Sequence, residues 1–135
     1  MKKFVLRHEN DWEKVAIFLS QSEPNIHLLD GDLGAGKTTL VKHYMRLLDR
    51  ENEVSSPSFG LINQYGANDE SVFHMDLYRL ESEKDLLEIG IFEILETKYP
   101  VFVEWPNLLL PLMSGLAHTR CKISLNQNER IVEIE

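Results

Sequence analysis

The sequence predicts an α/β fold: a mixed, mostly parallel sheet flanked by helices, with a β-hairpin and C-terminal strands. Three observations predict it. Helical patterns stand between strand candidates, the alternation of a sheet layered with helices. Two apolar runs, Ile26-His27-Leu28-Leu29 and Val101-Phe102-Val103, are short and continuous, as in strands buried on both faces. A glycine-rich stretch, Gly31-Asp32-Leu33-Gly34-Ala35-Gly36-Lys37-Thr38-Thr39, joins the first of these runs directly to a helical pattern.

Along the chain, Phe4-Val5-Leu6 is a first short strand. Asn10 or Asp11 is placed to cap a helix running to Ser20, with Trp12, Val15, Ala16 and Leu19 on one face. Trp12 reads as core or rim packing. Pro24-Asn25 breaks the chain before the strand at 26–29, and a helix is expected from Thr38 to Leu48. An extended segment from Phe59 to Tyr65, a turn at 66–69 and a strand from Val72 to Asp76 make a hairpin. Ser82-Glu83-Lys84-Asp85 resembles a capping box opening a short helix that Gly90 ends, and Ile91, Phe92, Ile94 and Leu95 suggest another. Pro100 introduces the strand ending at Glu104. Two last strands, around 122–125 and 131–134, are joined by a turn at 126–129.

The 135 residues suit one domain, 1–135, with one core. A formal net charge of −8 argues against broad contact with nucleic acid, so any link to RNA should run through a protein partner or a local basic patch. The single cysteine, Cys121, excludes an intrachain disulfide and a cysteine-based zinc site, and reads as a packing residue. The N-terminal stretch lacks the apolar core of a signal peptide, and no segment has the length of a membrane span. A cytoplasmic setting is expected.

The glycine-rich stretch fits GxxxxGK(S/T), the P-loop pattern, in the strand–turn–helix context that gives the pattern its meaning. The fold is therefore expected to be of the P-loop NTPase type. Glycines let backbone N–H groups approach phosphate oxygens without a Cβ in the way, and the helix start offers unpaired N–H groups to an anion. Lys37 should reach the β- and γ-phosphates, and the Thr38 hydroxyl should ligate Mg²⁺. Thr39 either contributes its hydroxyl or simply opens the helix. Asp32, an acid in an anion-binding loop, is expected to point away or to meet a cation or partner.

Hydrolysis needs a carboxylate near Mg²⁺ and a group that orients water. Asp76 and Glu104 each end an apolar strand, where ligands of open α/β sheets bind. His74 shares a strand side with Asp76, so it either positions that carboxylate or is a packed, hydrogen-bonded histidine. Arg79 reads as an ion-pair former before an arginine finger. Ser56, Pro57 and Ser58 lie where a switch-like loop often stands, though ordinary turn chemistry explains them equally well. Trp105 is a candidate for base stacking, partner contact or core packing.

The glycine-rich stretch, Ser56-Pro57-Ser58-Phe59, His74-Met75-Asp76-Leu77-Tyr78-Arg79-Leu80 and Glu104-Trp105-Pro106 occur in that order. Together, over roughly residues 26–112, they resemble the bacterial tRNA threonylcarbamoyladenosine biosynthesis ATPase family, TsaE, formerly YjeE. The resemblance implies a small P-loop ATPase with ATP and Mg²⁺ as cofactors. It implies a cycle, weak alone and stimulated by partners of the TsaB and TsaD type, that resets a threonylcarbamoyl transferase acting on tRNA. By the same resemblance, residues 31–39 and Trp105 bind the nucleotide, Thr38, Asp76 and Glu104 serve the metal, and Lys37, Asp76 and Glu104 are catalytic. Residues 8–11 would lie near the adenine. Ser58 departs from the family's usual threonine but keeps a hydroxyl.

A stand-alone P-loop small-molecule kinase is the alternative. Its arginine-rich lid has no counterpart here: six arginines are scattered, and only Arg46 and Arg50 lie near each other. A GTPase would need an NKxD-type segment, which the chain lacks. A binding module that changes shape with nucleotide differs from the ATPase only in degree.

Overall fold

The computed structural model describes residues 1–55, 57 and 62–135. Its strands are β1 (Lys2–Leu6), β2 (Ile26–Asp30), β3 (Ile62–Tyr65), β4 (Val72–Asp76), β5 (Val101–Glu104), β6 (Thr119–Asn126) and β7 (Glu129–Ile134). Its helices are α1 (Trp12–Ser20), α2 (Lys37–Leu47), α3 (Glu83–Glu88) and α4 (Ile91–Leu95). The strands form one seven-stranded sheet in the order β1-β7-β6-β2-β5-β4-β3.

The continuously apolar strands occupy the middle. β2 pairs in parallel with both β5 and β6, and β5 pairs in parallel with β4. Four of the five β2 residues and all of β5 are buried, because helices cover both faces there. The margins are antiparallel: β1 with β7, β7 with β6, and β3 with β4. The parallel middle puts the C-terminal ends of β2, β4 and β5 side by side, with Leu29 and Asp76 each in register with Glu104.

Strand alternation divides the core in two. Leu29, Phe102, Cys121, Ile123 and Val132 face α1 and α2. Ile26, Leu28, Met75, Val101 and Val103 face α3, α4 and the 3-10 turns over residues 106–112.

Two expected caps are built differently. Asp11 does not cap the first helix: its backbone is already helical (φ −66°), following a 3-10 turn over Glu9–Asp11. Its Oδ2 instead accepts the N–H groups of Arg7 and His8 at 2.9 and 3.0 Å, and these bonds hold the carboxyl below the usual range. Ser82 has the extended backbone of an N-cap but makes no side-chain cap bond. Asp85 reaches further back, its Oδ2 accepting Glu81 N–H at 2.9 Å. Gly90, at φ 74°, separates α3 from α4 as expected. The hairpin is present as β3 and β4, while the first part of its expected extended segment, 59–61, lies outside the described residues. Among the described residues no helix is long and apolar enough to cross a membrane.

Candidate functional site

The glycine-rich loop leaves β2 at Asp30, whose carboxylate pairs with Arg120 at 2.9 Å, and ends where α2 begins. Glycine is required at two points. A Cβ on Gly31 would sit 2.8 Å from the Ile123 carbonyl oxygen. Gly36 has φ 118° and is backed directly by the Trp12 indole, so a side chain there meets both strain and a clash. From β7, Arg130 donates through Nε to the Ala35 carbonyl at 2.8 Å and through its guanidinium to the Gly34 carbonyl at 3.2 Å. Those bonds occupy loop carbonyls, while the first N–H groups of α2 have no partner within their own helix. Asp32 is exposed.

Lys37, 5% exposed, donates to the Gly31 carbonyl, and its ammonium lies 3.6 Å from the Trp105 ring centroid. Burial pushes its pKa down, opposed by the charges of Glu104, Asp76, Asp30 and Asp32. The Thr38 hydroxyl donates to Glu104 Oε2 at 3.0 Å. That carboxylate is buried, and its Oε2 also meets Nε2 of His74 at 2.5 Å. Asp76 Oδ1 accepts Tyr78 N–H at 2.8 Å. Burial, reinforced by the neighbouring Glu104 charge, pushes the Asp76 carboxyl up despite that bond. Trp105 has a left-handed backbone (φ 55°), unusual for a bulky residue, and packs against Tyr78 with ring centroids 4.8 Å apart and planes tilted by 52°.

Two cavities adjoin at the loop. One, of about 250 Å³, is lined by Gly36, Lys37, Thr38, Asp76, Glu104 and Trp105. The other, of about 240 Å³, is lined by His8, Trp12, Gly34, Gly36, Thr39 and Arg130. Gly34, Gly36 and Thr39 border both, so one extended ligand can lie across the loop.

The family described as "Threonylcarbamoyl adenosine biosynthesis protein TsaE" matches residues 6–132. The chain belongs to the TsaE family. The tRNA threonylcarbamoyladenosine biosynthesis protein TsaE of Rickettsia felis is 34% identical over 134 residues, covering 96% of this chain and 77% of that one. Its namesake in Bacillus subtilis is 38% identical over 81 residues, covering 60% of this chain and 50% of that one. The crystal structure of Bacillus subtilis YdiB shares the fold, with a TM-score of 0.70 at 24% identity over 97% of this chain and 82% of that one.

The TsaE match runs beyond the motif-bearing stretch 26–112 toward both ends, and the structure gives a physical reason. The N-terminal part contributes Trp12 behind Gly36, and the C-terminal part contributes Arg130 on the loop carbonyls. Lys37, Thr38, Asp76, Glu104 and Trp105 meet at one cavity; Leu33 is 81% exposed, and Ala35 is buried behind the loop. His74 shares a strand side with Asp76 but bonds to Glu104, on the neighbouring strand, as a packed histidine. Trp12 is both a core residue and a wall of the second cavity. Pro57 of the switch-like segment is buried, while Ser56 and Ser58 lie outside the described residues. Sequence reasoning missed Tyr65 and Arg130, whose partners lie far away in sequence or across strands.

Proposed function

We propose that this chain acts as one ATP-binding and ATP-hydrolysing domain of the tRNA threonylcarbamoyladenosine modification machinery. Family membership supports the pathway. The observation that carries the ATPase chemistry is the meeting of Lys37, Thr38, Asp76 and Glu104 at one cavity beside the glycine-rich loop. On this reading residues 31–39 cradle the phosphates, with the Lys37 ammonium turning from the Gly31 carbonyl toward the β- and γ-phosphate oxygens. The adenosine end of ATP takes the cavity between Trp12, His8 and Arg130. Trp105 covers Lys37 and keeps bulk water from the phosphate end.

The donor set suits Mg²⁺. It consists of hydroxyl and carboxylate oxygens, without a cage of three or more His, Cys, Asp or Glu among the described residues. Mg²⁺ usually takes only one or two carboxylates alongside phosphate oxygens and waters. Thr38, Asp76 and Glu104 would hold it, and the ion would neutralise phosphate charge there. Glu104, pinned by Thr38 and His74, accepts a hydrogen bond from the attacking water and orients it.

The partners are proteins of the TsaB and TsaD type. They carry the tRNA, which suits a chain of net charge −8, and hydrolysis in the cytoplasm resets their complex. The kinase alternative gains no support, because arginines a lid would need are engaged elsewhere. Arg46 pairs with Glu51, Arg50 with Glu53 and Arg120 with Asp30, and Arg130 is bound to the loop.

The test is the ATPase rate of the chain alone and with the two partner proteins plus tRNA, where strong stimulation is expected. Lys37→Ala should weaken ATP binding and abolish turnover. Glu104→Gln should lower stimulated turnover about 100-fold, far more than it lowers ATP affinity. Unchanged turnover in Glu104→Gln, or phosphate transfer to a small molecule, would overturn the reading.

A further inference from the structure

Glu104 is the inner end of a buried chain of hydrogen bonds that crosses three strands. His74, fully buried, meets Glu104 Oε2 through Nε2 at 2.5 Å. Its other ring nitrogen, Nδ1, lies 2.9 Å from the Tyr65 hydroxyl oxygen. Tyr65 O–H donates to the Ser55 carbonyl at 2.8 Å, and its oxygen accepts Ser55 N–H at 3.2 Å. Asn63 Nδ2 donates to the same Ser55 carbonyl at 3.2 Å. The hydroxyl has one proton, so at any instant it serves either the carbonyl or Nδ1. Such an arrangement has a clear purpose. A carboxylate accepts only, so His74 must present Nε2–H to it, and a partner on Nδ1 fixes the ring in the orientation that does so. Both bonds to Glu104, from Thr38 and His74, land on the same oxygen, Oε2, so the carboxylate is pinned at one atom. Outer partners of this kind set where a catalytic carboxylate points, at small cost in substrate binding.

We propose that His74 and Tyr65 are positioning residues: they aim the Glu104 carboxylate at the phosphate end of the site and tie its orientation to the backbone at Ser55, next to the segment 56–61. The inference rests on the ATPase reading of Glu104.

Asparagine and glutamine separate the two bonds of His74, because the Asn amide group falls near Nδ1, where its oxygen can accept from the Tyr65 hydroxyl, and the Gln amide nitrogen falls near Nε2, where it can donate to Glu104. The measurements are MgATP affinity, single-turnover hydrolysis and melting temperature. His74→Asn keeps the Tyr65 side and loses Glu104, so hydrolysis should fall about tenfold or more with ATP affinity within about threefold. His74→Gln keeps the bond to Glu104 and should restore hydrolysis to within about threefold of the parent. Tyr65→Phe is nearly isosteric and removes only the hydroxyl, and hydrolysis should fall between them.

Hydrolysis at the parent rate in His74→Asn overturns the inference. So does an equal loss in His74→Asn and His74→Gln that follows melting temperature, the mark of a merely structural histidine. Glu104→Gln measured alongside separates the two claims. If it hydrolyses ATP at the parent rate, the ATPase reading of Glu104 falls and this inference with it. If Glu104→Gln is slow while His74→Asn is not, only the positioning role falls.

Discussion

The two faces of the sheet are made of different chemistry. On the side of α1 and α2, His27, His74, Glu104 and Thr119 of the sheet and Lys37 and His43 of α2 itself are all buried. On the other side, Ile26, Leu28, Met75, Val101 and Val103 of the sheet pack with Leu86, Ile91 and Leu109 of α3, α4 and the 3-10 turns in one apolar cluster. Burying polar groups costs free energy unless they are paired, so a small domain carries few of them. Here they share the face that also carries the glycine-rich loop. Most are paired, as His27 with Thr119 at 2.8 Å and His74 with Glu104, although His43 Nε2 is buried with no hydrogen-bond partner among the described residues. Both faces bury apolar side chains and supply folding free energy; the dry face does only that, while the polar face also holds charged and hydrogen-bonding groups in fixed positions.

Breaking the dry face should therefore cost stability and nothing else. Leu28 is fully buried in the middle of the sheet. Leu28→Ala should lower unfolding free energy by about 2–5 kcal/mol, through lost burial and the cavity left behind. ATP affinity per folded molecule should be unchanged. A urea titration and a binding isotherm on the same preparation check both halves, and a matching loss of affinity would mean that the two faces are not separable.

The polar face should respond to pH instead. Burial pushes the His27 imidazolium down to about 4 from the ordinary 6.5, so the folded protein holds this ring neutral. The unfolded chain takes up its proton first as pH falls. The stability linked to His27 is thus fully present above pH 6.5 and drains away between 6.5 and about 4, by about 3 kcal/mol at most. His43 is shifted the same way, by burial and then by Arg46. His27→Gln should flatten the pH dependence of unfolding free energy over that window, leaving the share due to His43. An unaltered slope would mean that His27 is not the titrating group.

How far the sequence could be read follows the same division. The parallel middle was legible because Ile26, Leu28, Val101 and Val103 are apolar and lie in short continuous runs. The loop was legible because glycines at 31, 34 and 36 and the Lys-Thr pair report local backbone demands. Asp76 and Glu104 were legible as acids ending such runs. The bonds that organise them were not. Arg130 meets loop carbonyls 95 and 96 residues away in sequence, and Tyr65 joins His74 across a hairpin. Neither leaves a local signal, since arginine and tyrosine suit a strand for many other reasons. The misread caps have a similar cause. Asp11 and Asp85 both serve N–H groups upstream of the turn that local spacing suggests.

Asp76 gives the finest test of the polar face. Its carboxyl pKa is pushed up by burial first and by the Glu104 charge after it, against the Tyr78 N–H bond and the attraction of Lys37. Its ionised form is therefore disfavoured in the fold relative to the unfolded chain. The stability linked to Asp76 is present below the ordinary value of 3.8 and is lost as pH rises through the raised folded value. Asp76→Asn removes the charge and can keep the bond, because its amide oxygen accepts the same N–H. At pH 7 the variant should melt about 1–2 °C above the parent, with the gap closing near pH 3, where the parent's carboxyl is already protonated. On the proposed metal role, MgATP should bind the variant more weakly at the pH where its melting temperature is higher. A variant that melts lower at pH 7 would show that the attraction to Lys37 outweighs burial, and that this carboxylate stabilises the fold instead of burdening it.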